Sequence, residues 1–126
     1  MTKQSPPKFS KKSLPPEVRL SVKASQDKKA EDILVLDLRG VSTFTDFFII
    51  MTGHSSRQNT AIYESIELEL KKGQLMPIGV EGRELAEWIL IDYGSFVVHI
   101  FSKQARGYYS LEKLWGDAPR LSYAGA

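Results

Sequence analysis

The sequence predicts an α/β fold, in which a mixed five-stranded sheet packs with about three helices. Two nearly continuous apolar runs, Ile33–Leu38 and Phe47–Thr52, indicate strands that are covered on both faces. Apolar residues recur at every fourth position from Ile62 to Leu70, which is typical of an amphipathic helix. Two further apolar segments flank Gly94–Ser95, as the strands of a β-hairpin do.

The N-terminal region divides into a tail and the start of the domain. Residues 1–15 are rich in Ser, Pro and Lys, and we expect them to be disordered because they bury too little apolar surface. Residues 16–126 form the predicted domain. Its first helix is expected from Pro16 to Lys29, since proline suits the first helical turn. The candidates for its buried side are Val18, Leu20 and Val22.

The second helix carries the strongest local signals. Ser55 and Gln58 have the spacing of a capping box, and Gly73 is placed to end the helix. Glu67 and Lys71 are spaced to form an ion pair on its outer side. After this helix, the residues from Met76 to Val80 predict a short strand.

The C-terminal half is predicted to contain the hairpin and one more helix. The hairpin strands are Trp88–Tyr93 and Phe96–Phe101, and glycine first in a two-residue loop suits a type II′ turn. A final short helix is expected from about Gly107 to Trp115, followed by Gly116 and Pro119.

Side-chain alternation in the hairpin separates a core face from a candidate binding face. With Tyr93 opposite Phe96, one face is wholly apolar and is assigned to the core. It consists of Ile89, Ile91, Tyr93, Phe96, Val98 and Ile100. The opposite face mixes aromatic residues with an acid and a histidine. It consists of Trp88, Leu90, Asp92, Val97, His99 and Phe101. Three helices leave part of a five-stranded sheet uncovered, so this second face is expected to be exposed and to bind a partner.

Composition and charge exclude several classes of protein. The absence of cysteine excludes disulfide frameworks, thiolate metal sites and cysteine nucleophiles. The longest apolar run, Phe47–Met51, is far shorter than a membrane helix requires, and no secretory signal is evident, so a cytoplasmic location is expected. A weak similarity of the tail to a transit peptide leaves an organellar matrix or stroma open.

The net charge of +2 is unevenly distributed. Residues 1–23 carry six basic residues and one acidic residue, whereas residues 24–126 carry 11 basic and 14 acidic residues. The domain is therefore mildly acidic, which argues against a groove that grips phosphates. The basic tail is the candidate for contact with RNA, although such tails are usually solvated.

An enzymatic or ligand-binding site finds little support. The loop Gly53–Arg57 lies where a strand meets a helix, and such a loop can bind a phosphate or nucleotide through free amides. Phosphoryl transfer would also need clustered carboxylates for magnesium, and the following strand has none. His54 and His99 lack companions for a metal shell, and nothing brings Ser55, His99 and Asp92 together as a triad. We therefore predict no catalytic residues, no metal and no cofactor, with a nucleotide- or phosphate-binding module as the alternative function.

Eight segments of the chain together match the pattern of a known family. They are Lys29–Ile33, Leu36–Gly40, Thr45–Phe48, Gly53–Gln58, Glu81–Gly82, Trp88–Gly94, Val97–His99 and Leu111–Trp115. The match covers roughly residues 20–121, and its most specific part is the Trp-to-Gly stretch with the Val-Val-His that follows. On these segments the sequence resembles the iojap family, the ribosomal silencing factors.

The resemblance implies a nucleotidyltransferase-like fold that has lost its catalytic residues. It also implies binding to the large ribosomal subunit, through its ribosomal protein fourteen, at the face where the small subunit joins. Occupying that face would block subunit association and repress translation when nutrients are scarce. The mildly acidic domain suits a basic ribosomal protein, and an exposed apolar patch would also allow the free protein to form a homodimer.

Overall fold

The computed structural model describes residues 9–123, and these residues form a mixed α/β fold around one sheet. The helices are α1 (Pro16–Asp27), α2 (Ser56–Lys72), α3 (Lys103–Tyr109) and α4 (Leu111–Leu114), with a short 3₁₀-helix at Lys11–Ser13. The strands are β1 (Glu31–Asp37), β2 (Phe47–Gly53), β3 (Gly79–Glu81), β4 (Trp88–Asp92), β5 (Phe96–Ser102) and β6 (Arg120–Tyr123).

Within the described residues, the sheet has six strands in the order β3-β4-β5-β2-β1-β6. Only β2 and β5 pair in parallel, and the other neighbours are antiparallel. All seven residues of β2 are buried, because β2 lies in the middle of the sheet and is covered on both faces. The α/β class predicted from the sequence is therefore confirmed, with six strands in place of five.

The two faces of the sheet have different apolar clusters. Helices α1 and α2 cover the larger cluster, to which Ile62, Ile66 and Leu70 contribute as predicted. The smaller cluster lies on the opposite face, where Leu36, Phe48 and Phe101 pack against Ala105 of α3. Helices thus cover one face broadly and the other only in part.

The N-terminal boundary of the domain differs from the prediction. Residues 9–15 are ordered, because Ser10 caps the 3₁₀-helix and Leu14 packs into the larger cluster with an exposed fraction of 3%. Phe9 also stacks on Phe47, with ring centroids 6.4 Å apart. The expected disorder is wrong for these seven residues, since two apolar side chains dock on the sheet. The other residues of the predicted tail, 1–8, lie outside the described residues.

The C-terminal part contains the strand that the sequence pattern did not predict. Strand β6 pairs antiparallel with β1, and its Leu121 and Tyr123 pack against the larger cluster. Its four residues alternate between apolar and polar, a pattern too short to stand out in the sequence. The predicted helix from Gly107 to Trp115 is also divided, because Ser110 adopts a left-handed backbone (φ +48°) between α3 and α4.

Smaller differences concern helix faces and strand limits. Leu20 is exposed, whereas Val18 and Val22 are buried as predicted. Glu67 accepts a hydrogen bond from the Tyr63 hydroxyl, one turn earlier, and its predicted ion pair with Lys71 does not form. The third strand begins at Gly79 and not at Met76.

Candidate partner-binding surface

The hairpin has the predicted register, so the six candidate binding residues lie on one face of the sheet. Trp88 pairs with Phe101, Leu90 with His99, and Asp92 with Val97. The other face of the hairpin is buried in the larger cluster, as predicted. Gly94, with φ +88°, provides the left-handed turn between the strands. We name the face that carries Trp88, Leu90, Asp92, Val97, His99 and Phe101 the aromatic face.

Exposure of the aromatic face differs between its two strands. Trp88, Leu90 and Asp92 on β4 are half-buried, whereas Val97, His99 and Phe101 on β5 are buried. The expectation that the whole face is exposed is wrong for the β5 residues. The cause is the chain after β5, which turns back across the sheet as α3 and α4 and brings Ala105, Leu111 and Trp115 against this cluster.

Trp88 is held in place along one edge of its ring. Its indole Nε1–H donates a hydrogen bond to His99 Nδ1 at 3.1 Å. Its ring packs against Phe101 and Tyr109, with centroids 4.9 Å and 4.6 Å away. Trp88 is therefore both a half-exposed aromatic residue and a structural contact between β4, β5 and α3.

His99 is a neutral, buried histidine. Burial lowers the pKa of its imidazole to about 3, so the ring carries no charge at neutral pH. Because Nδ1 accepts the Trp88 hydrogen bond, the ring proton is on Nε2. That Nε2–H is buried and has no hydrogen-bond partner among the described residues. His99 therefore fits neither a catalytic base nor a metal ligand, but it retains one unused donor.

A small pocket opens beside His99 on the aromatic face. Its volume is about 270 Å³, and its apolar lining comes from strands β2, β4 and β5 and from the loop before β2. The lining residues are Phe44, Phe48, Leu90, Val97 and His99, with the acidic Glu81 and Asp92. A smaller pocket of about 170 Å³, lined by Glu81, Gly82, Trp88 and Leu90, lies next to it. The surface thus combines apolar recesses with carboxylates.

Asp92 has a structural contact and a free oxygen. Its Oδ1 accepts a hydrogen bond from the Gly94 amide at 2.8 Å, which supports the hairpin turn. Its Oδ2 has no hydrogen-bond partner within residues 9–123. One carboxylate oxygen therefore stays available to a donor on a partner.

The loop between β3 and β4 positions Trp88, and α2 fixes that loop. The buried Asn59 donates from Nδ2 to the Ala86 carbonyl at 2.8 Å. A side chain at Gly82 would place its Cβ 1.9 Å from the Trp88 carbonyl oxygen, and the φ of +84° at this residue also favours glycine. These contacts leave little freedom for the backbone that presents Trp88.

In the Gly53–Arg57 loop, side chains of the same segment and of α2 already contact the backbone. Ser55 caps α2 by accepting from the Gln58 amide at 3.0 Å, and Gln58 Oε1 accepts from the His54 amide, one residue earlier than a capping box requires. The Asn59 side chain lies directly over Gly53. His54 also faces Glu31, with Nε2 and Oε2 2.9 Å apart. This arrangement does not favour the alternative function of phosphate binding.

Residues 9–123 show neither a candidate metal site nor a candidate membrane-spanning helix. No group of three or more His, Asp or Glu side chains is placed to hold a metal ion in this part of the chain. Across the same residues, no helix is long and apolar enough to span a membrane.

Five residues join the aromatic face that the hairpin pattern did not identify. They are Phe44, Phe48, Glu81, Tyr109 and Trp115. Phe48 pairs with Val97 in the parallel β2–β5 ladder, so alternation would have placed it here once the strand order was known. Phe44 lies in a Ser/Thr-rich loop, which carries no periodic signal.

Comparisons with known proteins agree on one family. The model of the family described as "Ribosomal silencing factor during starvation" matches residues 11–125. The ribosomal silencing factor of Halalkalibacterium halodurans is 44% identical over 108 residues, covering 86% of this chain and 92% of that protein.

A more distant relative and a solved structure support the same assignment. The mouse protein named "Mitochondrial assembly of ribosomal large subunit protein 1" is 30% identical over 102 residues, covering 79% of this chain and 45% of that protein. A crystal structure of protein CV0518 from Chromobacterium violaceum superimposes with a TM-score of 0.78 at 35% identity, covering 87% of this chain and 92% of that chain. The chain belongs to the ribosomal silencing factor family, whose members regulate translation in association with the ribosome.

Proposed function

We propose that this chain binds the large ribosomal subunit through its aromatic face and so prevents the small subunit from joining. The partner that the family resemblance implies is ribosomal protein fourteen. The mouse relative is named for assembly of the ribosomal large subunit, which supports the choice of subunit. The role is steric, so the proposal includes no catalytic residue and no cofactor.

The observation that carries the proposal is the apolar pocket with carboxylates on the aromatic face. Phe44 is exposed over 66% of its surface beside this pocket, and Leu90 is half-buried in it. Exposed aromatic and aliphatic residues in such a recess are typical binding anchors. They would contact apolar residues and long side-chain stems of the partner.

Charge gives the surface its preference among partners. The segment 81–92 contains four acidic residues and Arg83, a net charge of −3. Such a surface attracts a basic protein and speeds its association. Asp92 Oδ2 can accept a charge-assisted hydrogen bond from a lysine or arginine of the partner.

Asp92→Asn is the sharpest test, because it removes the charge and keeps the Oδ1 contact with the Gly94 amide. We expect at least about ten-fold weaker binding to purified large subunits, as is typical for loss of a hydrogen bond to a charged group. The assay is co-sedimentation with large subunits, together with light scattering to follow association of the two subunits. Glu64→Gln, at an exposed position of α2 away from the aromatic face, is the matched control and should bind large subunits as tightly as wild type.

A second pair of variants tests the apolar contact. Phe44→Ala should weaken binding without lowering stability, whereas Leu68→Ala, with an exposed fraction of 58% on α2, should change neither. Trp88→Ala is a poorer probe, because its contacts with His99 and Phe101 also stabilise the fold. Unchanged binding by both Asp92→Asn and Phe44→Ala would refute the aromatic face as the binding surface. A wild-type protein that fails to slow subunit association would refute the function itself.

A further inference from the structure

The outer side of α3 presents an aromatic residue that the fold does not use. Tyr108 is exposed over 80% of its surface and contacts Tyr109 edge-on, with ring centroids 5.0 Å apart. Tyr109 in turn packs against the Trp88 ring, with centroids 4.6 Å apart, so the ring that Tyr108 contacts is itself held by the fold. Neither face of the Tyr108 ring is stacked on another ring of the described chain. Such a ring is available to stack on a flat ligand group.

The stretch of chain that contains this tyrosine has more basic than acidic residues, in contrast to the segment 81–92. The segment 102–123 has four basic residues, three of them among Lys103–Asp117 and the fourth at Arg120, and two acidic residues, a net charge of +2, whereas the segment 81–92 has a net charge of −3. Glu112 is paired with Arg106 at 3.1 Å, which leaves Asp117 as the exposed acid of this segment. Lys103 and Lys113 are exposed, and neither forms an ion pair with a described residue.

The solvent-exposed side of α3 carries a cation towards one edge and the tyrosine towards the other. Lys103 and Gly107 adjoin each other one turn apart, and Tyr108 lies about 140° around the helix axis from Lys103, with the exposed Gln104 between them. A Cβ built on Gly107 meets no atom within 4 Å, so the backbone between the two side chains is open. Lys103 and Gly107 also line a cavity of about 450 Å³ with Thr52, Arg106 and Ser122. The acidic groups at this cavity are Asp32 and the paired Glu112.

We propose that the outer side of α3 and α4 binds single-stranded RNA. A base stacks on Tyr108, and Lys103 and Lys113 contact the phosphates on either side. Aromatic stacking with flanking cations is how proteins bind unpaired RNA, since every base has a flat face and every nucleotide carries a charge. A basic protein would instead be attracted to the acidic segment 81–92. The inference goes beyond the proposed function, because it assigns a second class of partner to the surface next to the aromatic face.

The test uses the full chain and a fluorescein-labelled single-stranded RNA of about 12 nucleotides, followed by fluorescence anisotropy at low salt. No ribosomal subunit or ribosomal protein is present, so the result is independent of subunit joining. We expect Tyr108→Ala to weaken binding roughly five-fold or more, the effect typical of removing one stacked base. Tyr108→Phe keeps the ring and should bind within about two-fold of wild type. Melting curves should coincide for all three proteins, because this side chain is exposed.

The lysines are tested by salt dependence. The double variant Lys103→Ala/Lys113→Ala should weaken binding and reduce the slope of log K against log salt by about 0.7 for each phosphate that the protein no longer neutralises. Lys71→Ala/Lys72→Ala, at the end of α2, is the matched control and should leave both the affinity and the slope unchanged. The N-terminal lysines are present in every variant, so their contribution is common to all.

Two results would overturn the RNA site. One is Tyr108→Ala binding as tightly as wild type, which would show that no base stacks there. The other is an equal loss of affinity for the two lysine pairs, which would indicate general attraction of a polyanion. Poly-glutamate that displaces RNA at equal charge concentration would identify an acidic protein segment as the preferred ligand and also refute the proposal.

Discussion

Gly53→Ala tests whether Gly53 serves the fold rather than a ligand. A Cβ at this residue would fall 1.9 Å from Asn59 Oδ1, so the buried Asn59 side chain has to move. Moving it breaks the 2.8 Å hydrogen bond from Asn59 Nδ2 to the Ala86 carbonyl. Leaving such a buried group unpaired costs about 1–3 kcal/mol, and forcing extra volume into the core costs about 1–3 kcal/mol more. We therefore expect the free energy of unfolding to fall by about 2–6 kcal/mol.

The measurement is urea unfolding followed by tryptophan fluorescence, with Gly79→Ala as the control. A Cβ at Gly79 meets no atom within 4 Å, so this variant should unfold near the wild-type midpoint. Asn59→Ala removes the clashing side chain, so Gly53→Ala should cost much less in that background than in wild type. Equal costs of Gly53→Ala in the two backgrounds would refute the clash with Asn59 as the cause.

Three further outcomes follow from burial. His99 has a lowered pKa in the folded protein, so the unfolded chain takes up a proton first as pH falls. The contribution of His99 to the free energy of unfolding should be full above about pH 6.5 and should decrease by about 1.4 kcal/mol per pH unit towards pH 3. Urea unfolding across this pH range measures the effect, and His99→Gln should give a flatter profile. Ile91→Ala should cost about 2–5 kcal/mol in the same assay at neutral pH, whereas half-buried Leu90→Ala should cost less and weaken binding to large subunits. Leu14→Ala should lower the free energy of unfolding by about 2–5 kcal/mol, because it leaves a cavity in the core. If the domain begins at residue 9, a protein without residues 1–8 should have the same melting temperature as wild type. A Leu14→Ala melting temperature equal to wild type would show that the segment before α1 contributes nothing to the core.

Local sequence determined the elements that have strong periodicity. The i+4 spacing of Ile62, Ile66 and Leu70 and the glycine at residue 73 predicted α2, and the structure confirms both the buried side and the end of that helix. Alternation across Gly94–Ser95 placed each hairpin residue on the correct face. These features depend on neighbours within one helical turn or one hairpin, which a sequence pattern records directly.

Tertiary structure decided which of those residues remain accessible. Alternation put Val97, His99 and Phe101 opposite the core, but α3 and α4 cover them, and that packing depends on a left-handed residue at Ser110. Phe44 and Phe48 reached the aromatic face because β2 pairs in parallel with β5, a strand that follows only after α2, β3 and β4 in the chain. Whether a side chain is buried or lines a pocket depends on contacts with segments far away in the sequence. A local pattern therefore predicts the face on which a side chain lies but not which segment packs over it.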